Sequence, residues 1–311
     1  MVVASSESTS ALLGLSNNLA DAVEHVGLAV VAVHGRSQLP SSGIQWREGT
    51  IVTADHTIDR EEGVTVTLPD GRSAPAQIAG RDAGTDLAVL KIEGAGFPVA
   101  DIADSSALRV GAIVVAVARP GDTGLSASMG AISALGGSWR TWAGGQIDQL
   151  IRPDLTLYPG FSGGPLVDAA GRVVGLNTSG LSRRLTLAVP TGTVNRVVEQ
   201  LLTRGRIARG YLGVGMQTVR LPDSLRASLN LAQESALIVV SVESSGPAEK
   251  AGVLIGDILI ALDAKPIADT HDVQGLLDPE RVGTSVPLSV VRGGARTDLT
   301  IEIGERPRGG A

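Results

Sequence analysis

A regular series of short valine-rich runs between positions 28 and 190 is the feature that most limits how this chain can fold. The runs include LAVVAVHG, GTIVTADH, GVTVTLPDGR, DLAVLKI and VGAIVVAVARPG, and Gly, Asp and Pro residues separate them. Apolar runs of this length, roughly ten residues apart, predict the strands of a β-barrel or β-sandwich. Aromatic residues make up only 2% of the chain, so the core between these strands must consist of Val, Leu, Ile and Ala.

Two helices are expected on either side of the strand-rich region. Residues 11–25 and residues 191–204 both carry apolar side chains at helical spacing. We expect Thr191 or Thr193 to cap the second helix, because a threonine hydroxyl can accept a hydrogen bond from a free N–H of the first turn.

The pattern changes after GRIARG (205–210), a basic, glycine-bounded stretch that we predict to be a linker. Beyond it, the runs YLGVGMQTV, ALIVVSVE, DILIALDAKPI and SVPLSVVRG alternate with short helical segments. This pattern predicts a compact α+β unit of about 95 residues. We therefore divide the chain into a helical segment (1–27), a strand-rich domain (28–204), the linker and a second domain (211–305), with the boundary near residue 207.

Composition excludes several classes of function and of site. The chain has no cysteine, which rules out disulfides, thiol catalysis and zinc sites of the cysteine type. The net charge is −6 and no long basic run occurs, so nucleic-acid binding is not expected. No run of 18 apolar residues occurs, and no membrane span is expected. The N-terminus has no positively charged region before its weak apolar stretch and does not read as a signal peptide.

The stretch GFSGG places Ser162 among three glycines and fits the G-x-S-x-G pattern of the α/β-hydrolase nucleophile. That pattern needs a helix directly after the serine and a catalytic histidine further along the chain. Here Pro165 follows, and LVDAAGRVVGLN predicts a hairpin. The only histidine after the serine is His271, which lies in the second domain. We therefore disfavour this interpretation.

The order histidine, aspartate, serine is that of chymotrypsin-like enzymes, and His56, Asp86 and Ser162 follow it. A serine hydroxyl becomes a good nucleophile when a base takes its proton, and His56 could do so near neutral pH. Asp86 would orient the imidazole and stabilise its cation. The backbone N–H groups of Gly160 and Ser162 could bind the oxyanion.

Each of these residues also has a purely structural interpretation. His56 could be a surface histidine, Ser162 could be a turn serine, and Asp86 could be a turn residue with Asp82 as a competitor for its role. The three together, in this order and each in a strand-flanked motif, favour the catalytic interpretation. Asn177, Thr178 and Ser179 fit a glycosylation pattern, which we interpret as a turn at the end of a strand.

The motifs TADH, TDLAVLKI and PGFSGGPLVD, followed by the glycine-bounded linker and RGYLGVGMQTV, resemble the HtrA (DegP/DegS-type) serine proteases. The resemblance implies a mainly β chain, with a chymotrypsin/trypsin-like double β-barrel followed by a smaller α+β PDZ domain. It implies an endopeptidase that degrades unfolded or misfolded proteins in protein quality control and stress response, with no metal or other cofactor. It also implies a homotrimer. The family is commonly periplasmic or extracytoplasmic, while the absence of a signal peptide keeps a cytoplasmic location open.

The same resemblance assigns site residues. The triad would be His56, Asp86 and Ser162, the oxyanion hole would be formed by Gly160, Phe161 and Ser162, and the substrate pocket would be lined by Leu185, Thr186, Leu187 and Ala188. This pocket is expected to be shallow and apolar. Two residues depart from the family pattern, because Phe161 replaces the usual asparagine and Arg184 replaces the usual glycine.

The PDZ resemblance implies that the second domain binds the C-terminus of a peptide as an added strand. Tyr211, Leu212, Gly213 and Val214 would form the loop that binds the carboxylate, and the helix at 270–277 would form the other wall of the groove. Its apolar residues Val273, Leu276 and Leu277 are candidates for the peptide pocket, but their spacing fits core residues equally well. His271 is expected to be exposed on this helix and unconnected with catalysis.

A rival hypothesis from another class is a chaperone or PDZ adaptor whose protease domain is catalytically silent because Phe161 or Arg184 distorts the site. The intact triad pattern argues against it.

Overall fold

The computed structural model describes residues 6–37, 39–94, 96–121, 124–182, 184–208, 210–278 and 281–305, without the side chains of residues 6–9. The first five residues of the predicted helical segment and Arg209 of the predicted linker therefore lie outside the described residues. Contacts within the chain divide it into two compact units, with the division between Ile207 and Ala208. Among the described residues, no helix has both the length and the apolar content required to cross a membrane.

The first unit begins with helix α1 (Ser6–Gly27), which is longer than the predicted helix. Six antiparallel strands follow: β1 (Val30–His34), β2 (Ser41–Arg47), β3 (Thr50–Ala54), β4 (Thr65–Thr67), β5 (Ser73–Asp82) and β6 (Leu87–Ile92). They form a closed barrel in the order β1-β2-β3-β6-β5-β4.

A second closed barrel follows in the same unit. The strands of this part are β7 (Ile113–Ala118), β8 (Ser126–Gly136), β9 (Trp139–Arg140), β10 (Gln146–Ile147), β11 (Leu150–Asp154), β12 (Pro165–Asp168), β13 (Val173–Thr178) and β14 (Leu187–Pro190). The barrel order is β11-β14-β13-β12-β7-β8, while β9 and β10 form a separate hairpin. The predicted trypsin-like double barrel is confirmed.

Because side chains alternate between the two faces of a strand, one face can fill the inside of a barrel while the other face packs against the neighbouring barrel. Val31 and Val33 of β1 point into a cluster made by residues of the first barrel. Val30, on the opposite face of the same strand, packs in a different cluster with Val117 of the second barrel. Helix α2 (Thr191–Arg204) adds Val194, Val197, Val198 and Leu201 to this shared cluster. Successive side chains of a strand face opposite sides, so valine-rich runs can bury both faces.

The start of α2 differs from the sequence-based prediction. Its N-cap residue is Pro190, and no side chain caps the helix. The Thr191 hydroxyl instead donates to the Ala103 carbonyl at 2.9 Å, and the Thr193 hydroxyl accepts the Asp148 N–H at 2.9 Å. The cap prediction was wrong because tertiary contacts with other segments of the unit use both threonine side chains.

Among its described residues, the second unit forms a six-stranded sheet, a separate two-stranded sheet and short helices. Its strands are β15 (Gly210–Tyr211), β16 (Val214–Arg220), β17 (Ser235–Val242), β18 (Ile258–Leu262), β19 (Lys265–Pro266), β20 (Ser285–Arg292), β21 (Ala295–Glu302) and β22 (Gly304–Glu305), and its helices are α3 (Asp223–Leu229), α4 (Pro247–Lys250) and α5 (Thr270–Leu276). The main path is β16-β17-β18-β20-β21, so β16 is an edge strand. The sequence analysis did not predict β21, which follows β20 through Gly293 and Gly294, both at positive φ.

An ion pair stabilises the second unit. Arg292, at the end of β20, donates to both carboxylate oxygens of Asp257, at 2.9 and 2.7 Å. The Asp257 side chain is buried. The hydrogen bond from Arg292 is the main cause that lowers the pKa of Asp257 from its ordinary value of 3.8, although burial opposes this effect.

We predict that Arg292→Met lowers the unfolding midpoint of the second unit at neutral pH by about 4–8 °C, because Asp257 remains buried without its charged donor. A lowered carboxyl pKa stabilises the folded state above the ordinary pKa, and this contribution is lost as the pH falls through the folded-state pKa. The wild type and the variant should therefore converge below pH 3.8. Calorimetry of the full chain across pH measures both effects.

Arg296→Met is the matched control, because Arg296 pairs with Asp298 at the surface and exposed pairs contribute little. An Arg292→Met midpoint equal to that of the wild type at neutral pH would contradict the prediction.

Candidate active site

Strand pairing brings His56 and Asp86 together. His56 lies in a single helical turn (Asp55–Thr57) directly after β3, and Asp86 directly precedes β6. Because Ala54 of β3 pairs with Leu87 of β6, the two residues leave neighbouring strands at the same end. The pairing of these strands therefore explains why two residues distant in the sequence meet.

Several hydrogen bonds fix the Asp86 carboxylate beside His56. His56 Nδ1 lies 2.8 Å from Asp86 Oδ2, and the His56 backbone N–H donates to Oδ1 at 2.9 Å. The Thr178 hydroxyl donates to Oδ2 from the second barrel. Asp86 is buried, and its φ of 57° is unusual for a residue with a side chain. A carboxylate only accepts hydrogen bonds, so Nδ1 carries the proton and Nε2 of the neutral ring is the acceptor.

Asp82, the competitor considered in the sequence analysis, has a different position. Its carboxylate accepts the backbone N–H groups of Gly84 and Thr85 and the Thr85 hydroxyl, the last at 2.7 Å. The Thr141 hydroxyl donates to the Gly84 carbonyl of the same turn at 2.7 Å. These bonds fix the turn that carries Asp86, and it is Asp86 that contacts His56.

Ser162 lies in a turn that both barrels hold. The Ser162 carbonyl accepts the N–H of Ser42 in β2 at 3.1 Å, and the Gly163 N–H donates to the carbonyl of Asn177 in β13 at 2.8 Å. Gly163 has a φ of 87°, and a side chain there would collide with the Ser42 carbonyl and the Thr53 hydroxyl. The glycine permits the close approach of three segments.

The structure adds a residue that the sequence analysis had interpreted only as part of a turn. Ser179 Oγ lies 3.1 Å from Ser162 Oγ and 3.3 Å from His56 Nε2, and the Ser179 N–H donates to Ser162 Oγ at 3.2 Å. Within the described ranges, Ser162 Oγ makes no direct hydrogen bond to His56. The register of the β12–β13 hairpin explains the position of Ser179. Pro165 pairs with Leu176. Ser162 lies three residues before Pro165 and Ser179 lies three residues after Leu176, so the two serines come to lie opposite each other.

Gly180 allows the histidine and the aspartate to sit close to the chain. A Cβ atom at this position would stand 2.5 Å from Asp86 Oδ2 and 2.7 Å from His56 Nδ1. These distances are too short for any substituent, so the absence of a side chain at Gly180 is required by the His56–Asp86 contact.

The turn before Ser162 presents backbone donors. Gly160 has a φ of 87°, and in the part of the chain that the structure describes neither its N–H nor that of Ser162 donates to a protein acceptor. The Phe161 N–H, in contrast, donates to the Tyr158 carbonyl at 3.0 Å. The Phe161 side chain is buried in the core of the second barrel, and its ring packs against that of Tyr158 in a T-shaped arrangement.

The four residues assigned to a substrate pocket have different environments. Leu187 and Ala188 are buried in β14, where they pair with Thr178 and Asn177. Leu185 is 48% exposed and, with Thr186, precedes that strand. Arg184 is exposed.

The candidate groove of the second unit combines an open strand edge with a fixed loop. The Leu212 and Gly213 carbonyls accept the N–H groups of Ala248 and Glu243, and Gly213 has a φ of 76°. The Tyr211 hydroxyl is buried and has no hydrogen-bond partner among the described residues. On α5, Val273 and Leu276 belong to the core of the unit and His271 is exposed, while Leu277, directly after the helix, packs against the core.

No three His, Asp or Glu side chains within the described ranges lie close enough to hold a metal ion.

Comparison with known protein families assigns a domain type to each of the two units. Residues 41–176 match the trypsin-like peptidase domain, and residues 210–303 match the PDZ domain. Two curated relatives, from Pseudomonas savastanoi pv. phaseolicola and Brucella suis, are named "Probable periplasmic serine endoprotease DegP-like". The Pseudomonas relative is 34% identical over 84% of this chain, and the Brucella relative is 35% identical over 88%. The chain spans about half the length of these relatives, 54% in each case.

Solved structures agree with this assignment. The HtrA-type protease AlgW, solved with a decapeptide, is 30% identical, with a TM-score of 0.75, and the match covers 94% of this chain and 99% of AlgW. A serine endoprotease from Yersinia pestis is 29% identical, with a TM-score of 0.73 and coverage of 93% and 98%. This chain therefore belongs to the HtrA-type serine proteases and combines one trypsin-like peptidase domain with one PDZ domain.

Proposed function

We propose that this chain is a serine endopeptidase in which Ser162 is the nucleophile, His56 the general base and Asp86 the residue that orients His56. The observation that carries the proposal is the buried Asp86 carboxylate, which holds His56 Nδ1 at 2.8 Å and leaves Nε2 directed toward the Ser162 side. A base whose tautomer is fixed in this way can take a proton at Nε2 only.

The proposed reaction proceeds through an acyl-enzyme. Ser162 Oγ attacks the carbonyl carbon of the peptide bond, and its proton passes to His56 Nε2. The N–H groups of Gly160 and Ser162 would bind the developing oxyanion, since neither is engaged elsewhere within the described residues. His56 then gives the proton to the leaving amine, and water releases the acyl group by the same route. Phe161 contributes its backbone to the turn, while its side chain fills the barrel.

We propose that Leu185, Thr186, Leu187 and Ala188 form the wall of an apolar pocket for the residue before the scissile bond. Their strand β14 pairs with β13, which carries Thr178 near the site. Leu187 and Ala188 are buried, so they would shape the pocket from behind, whereas Leu185 is accessible to a substrate.

We propose that the second domain binds C-terminal peptides along the edge strand β16. An edge strand has unpaired backbone groups that an extended peptide can use. Tyr211, Leu212, Gly213 and Val214 would surround the terminal carboxylate. Because Val273 and Leu276 are core residues, the pocket would depend on partly buried neighbours such as Val214 and Met216.

The substrates we propose are unfolded or misfolded proteins, because an extended segment exposes the peptide bonds that a folded protein keeps within its hydrogen-bonded structure. A homotrimer and an extracytoplasmic location are proposals that rest on family membership and on the names of the relatives. The rival hypothesis of a silent adaptor is not favoured, since Phe161 is turned into the barrel and Arg184 is exposed.

Ser162→Ala should abolish the cleavage of unfolded casein, with a loss of about 10⁴-fold or more, because the nucleophile is absent. Fragments on a gel over time measure the loss, and circular dichroism shows whether the fold is retained. Casein fragmentation by the variant at the wild-type rate would remove Ser162 from the mechanism.

Gly180→Ala should lower kcat/KM by about 100-fold, because its Cβ would displace the His56–Asp86 pair. Gly137→Ala is the control, since Gly137 is also exposed and a Cβ there meets nothing within 4 Å. Steady-state cleavage of a fluorogenic peptide compares the two. Equal activity of both variants would show that the pair is not the catalytic dyad.

Gly213→Ala should weaken binding of an apolar C-terminal peptide by about tenfold, because the loop would lose its conformation at the carboxylate. Gly252→Ala is matched to it, with a φ of 79° against 76° and open space around its Cβ. Fluorescence anisotropy with a labelled peptide and with its C-terminal amide measures binding. Unchanged affinity in Gly213→Ala would argue against the assigned loop.

A further inference from the structure

The Ser179 hydroxyl stands between the two groups that must exchange a proton. It lies 3.1 Å from Ser162 Oγ and 3.3 Å from His56 Nε2, whereas these two atoms make no hydrogen bond to each other within the described part of the chain. This arrangement belongs to the site for which we proposed peptidase activity, and the inference below rests on that function.

The contact between His56 and Asp86 determines which groups donate and which accept in the hydrogen bonds of Ser179. Since His56 Nδ1 donates to the carboxylate, Nε2 of the neutral ring has only a lone pair to offer. Ser179 must therefore donate its hydroxyl hydrogen to Nε2 and accept that of Ser162. The Ser179 N–H occupies a lone pair of Ser162 Oγ at 3.2 Å. In this arrangement the nucleophile's proton points at Ser179, and the lone pair of the base is occupied.

We propose that Ser179 is a positioning residue that restrains the catalytic site by keeping Ser162 and His56 apart. General-base catalysis needs the base within about 2.6–3.2 Å of the oxygen that it deprotonates. Both bonds of the Ser179 hydroxyl are longer than the usual 2.7–3.0 Å and are correspondingly weak. Ser179 is exposed, so its side chain can rotate away without disturbing the core.

Release of this bridge would complete the direct contact. Once the Ser179 hydroxyl turns away, the Ser162 O–H bond can point at His56 Nε2. In the attack, that O–H bond breaks and its proton forms an N–H bond with Nε2. An electron pair of Ser162 Oγ forms the bond to the carbonyl carbon, while the π bond of the carbonyl breaks and its electron pair moves onto the oxygen as the oxyanion. Ser179 takes no proton in this step, and its effect lies in how often the direct contact forms.

Ser179→Ala removes the bridging hydroxyl and keeps the backbone N–H. We expect Ser162 to react about 2- to 10-fold faster in this variant, which is the size expected when the two weak hydrogen bonds of the bridging hydroxyl are lost. A small fluorophosphonate is the probe, because its second-order rate of reaction reports Ser162 activation without the substrate pocket. With a fluorogenic peptide, kcat should rise by the same factor and KM should stay unchanged.

Two variants serve as controls. Ser179→Thr keeps the hydroxyl and should retain the wild-type rate. Ser133→Ala removes another exposed hydroxyl of the second barrel, which donates to the Arg152 carbonyl, and should also leave the rate unchanged.

The outcomes separate this inference from the proposed function. If the wild type does not react with the fluorophosphonate under conditions that label a trypsin standard, the proposed function fails. If the wild type reacts but Ser179→Ala is equally fast, Ser179 does not restrain the site. A slower Ser179→Ala would mean that the hydroxyl assists proton transfer, which also overturns the proposal, as would a Ser179→Thr variant as fast as Ser179→Ala.

Discussion

The proposed catalytic residues belong to two different barrels, so their geometry depends on the apolar cluster packed between those barrels. Val30 and Val52 contribute to this cluster from the first barrel and Val117 and Val189 from the second, and α2 covers it. His56 and Asp86 leave the first barrel, whereas Ser162, Thr178 and Ser179 leave the second. The hydrogen bond from Thr178 to Asp86 crosses from one barrel to the other. Burial of aliphatic side chains thus supplies the stability on which a few polar contacts depend.

Buried charge around Asp86 is balanced by fixed donors. Arg81 donates to the neighbouring Asp55 at 2.6 Å, and burial nevertheless raises the pKa of the Asp55 carboxyl. Asp82 is held by the N–H groups of its own turn. Asp86 accepts hydrogen bonds from the His56 backbone N–H and from the Thr178 hydroxyl. Hydrogen bonds from the first barrel, and from Thr178 of the second barrel, offset the cost of burying these three carboxylates.

The sequence predicted the features that follow from the spacing of apolar residues and from the order of residues along the chain. The valine-rich runs predicted the barrels, because alternate residues fill two apolar environments, and the order of His56, Asp86 and Ser162 predicted residues that the structure brings near one another. The position of Ser179 could not be predicted, because a register shift in the β12–β13 hairpin decides which residue stands opposite Ser162. The prediction that Thr191 or Thr193 caps α2 was wrong for a similar reason, since contacts with distant segments use the two hydroxyls. Single-sequence patterns report local preference, whereas these features arise from tertiary packing.

The glycine after Ser162 carries a consequence for how this protein can change over generations. At Gly163 the chain passes so close to Ser42 and Thr53 that any side chain would force the two barrels apart. Exposed positions such as Gly137 have open space and can accumulate replacements freely. The positions of this chain therefore differ in how many substitutions they tolerate. An exposed turn such as that at Gly137 can accept new side chains, while the turn that aligns the barrels has room for a hydrogen atom alone.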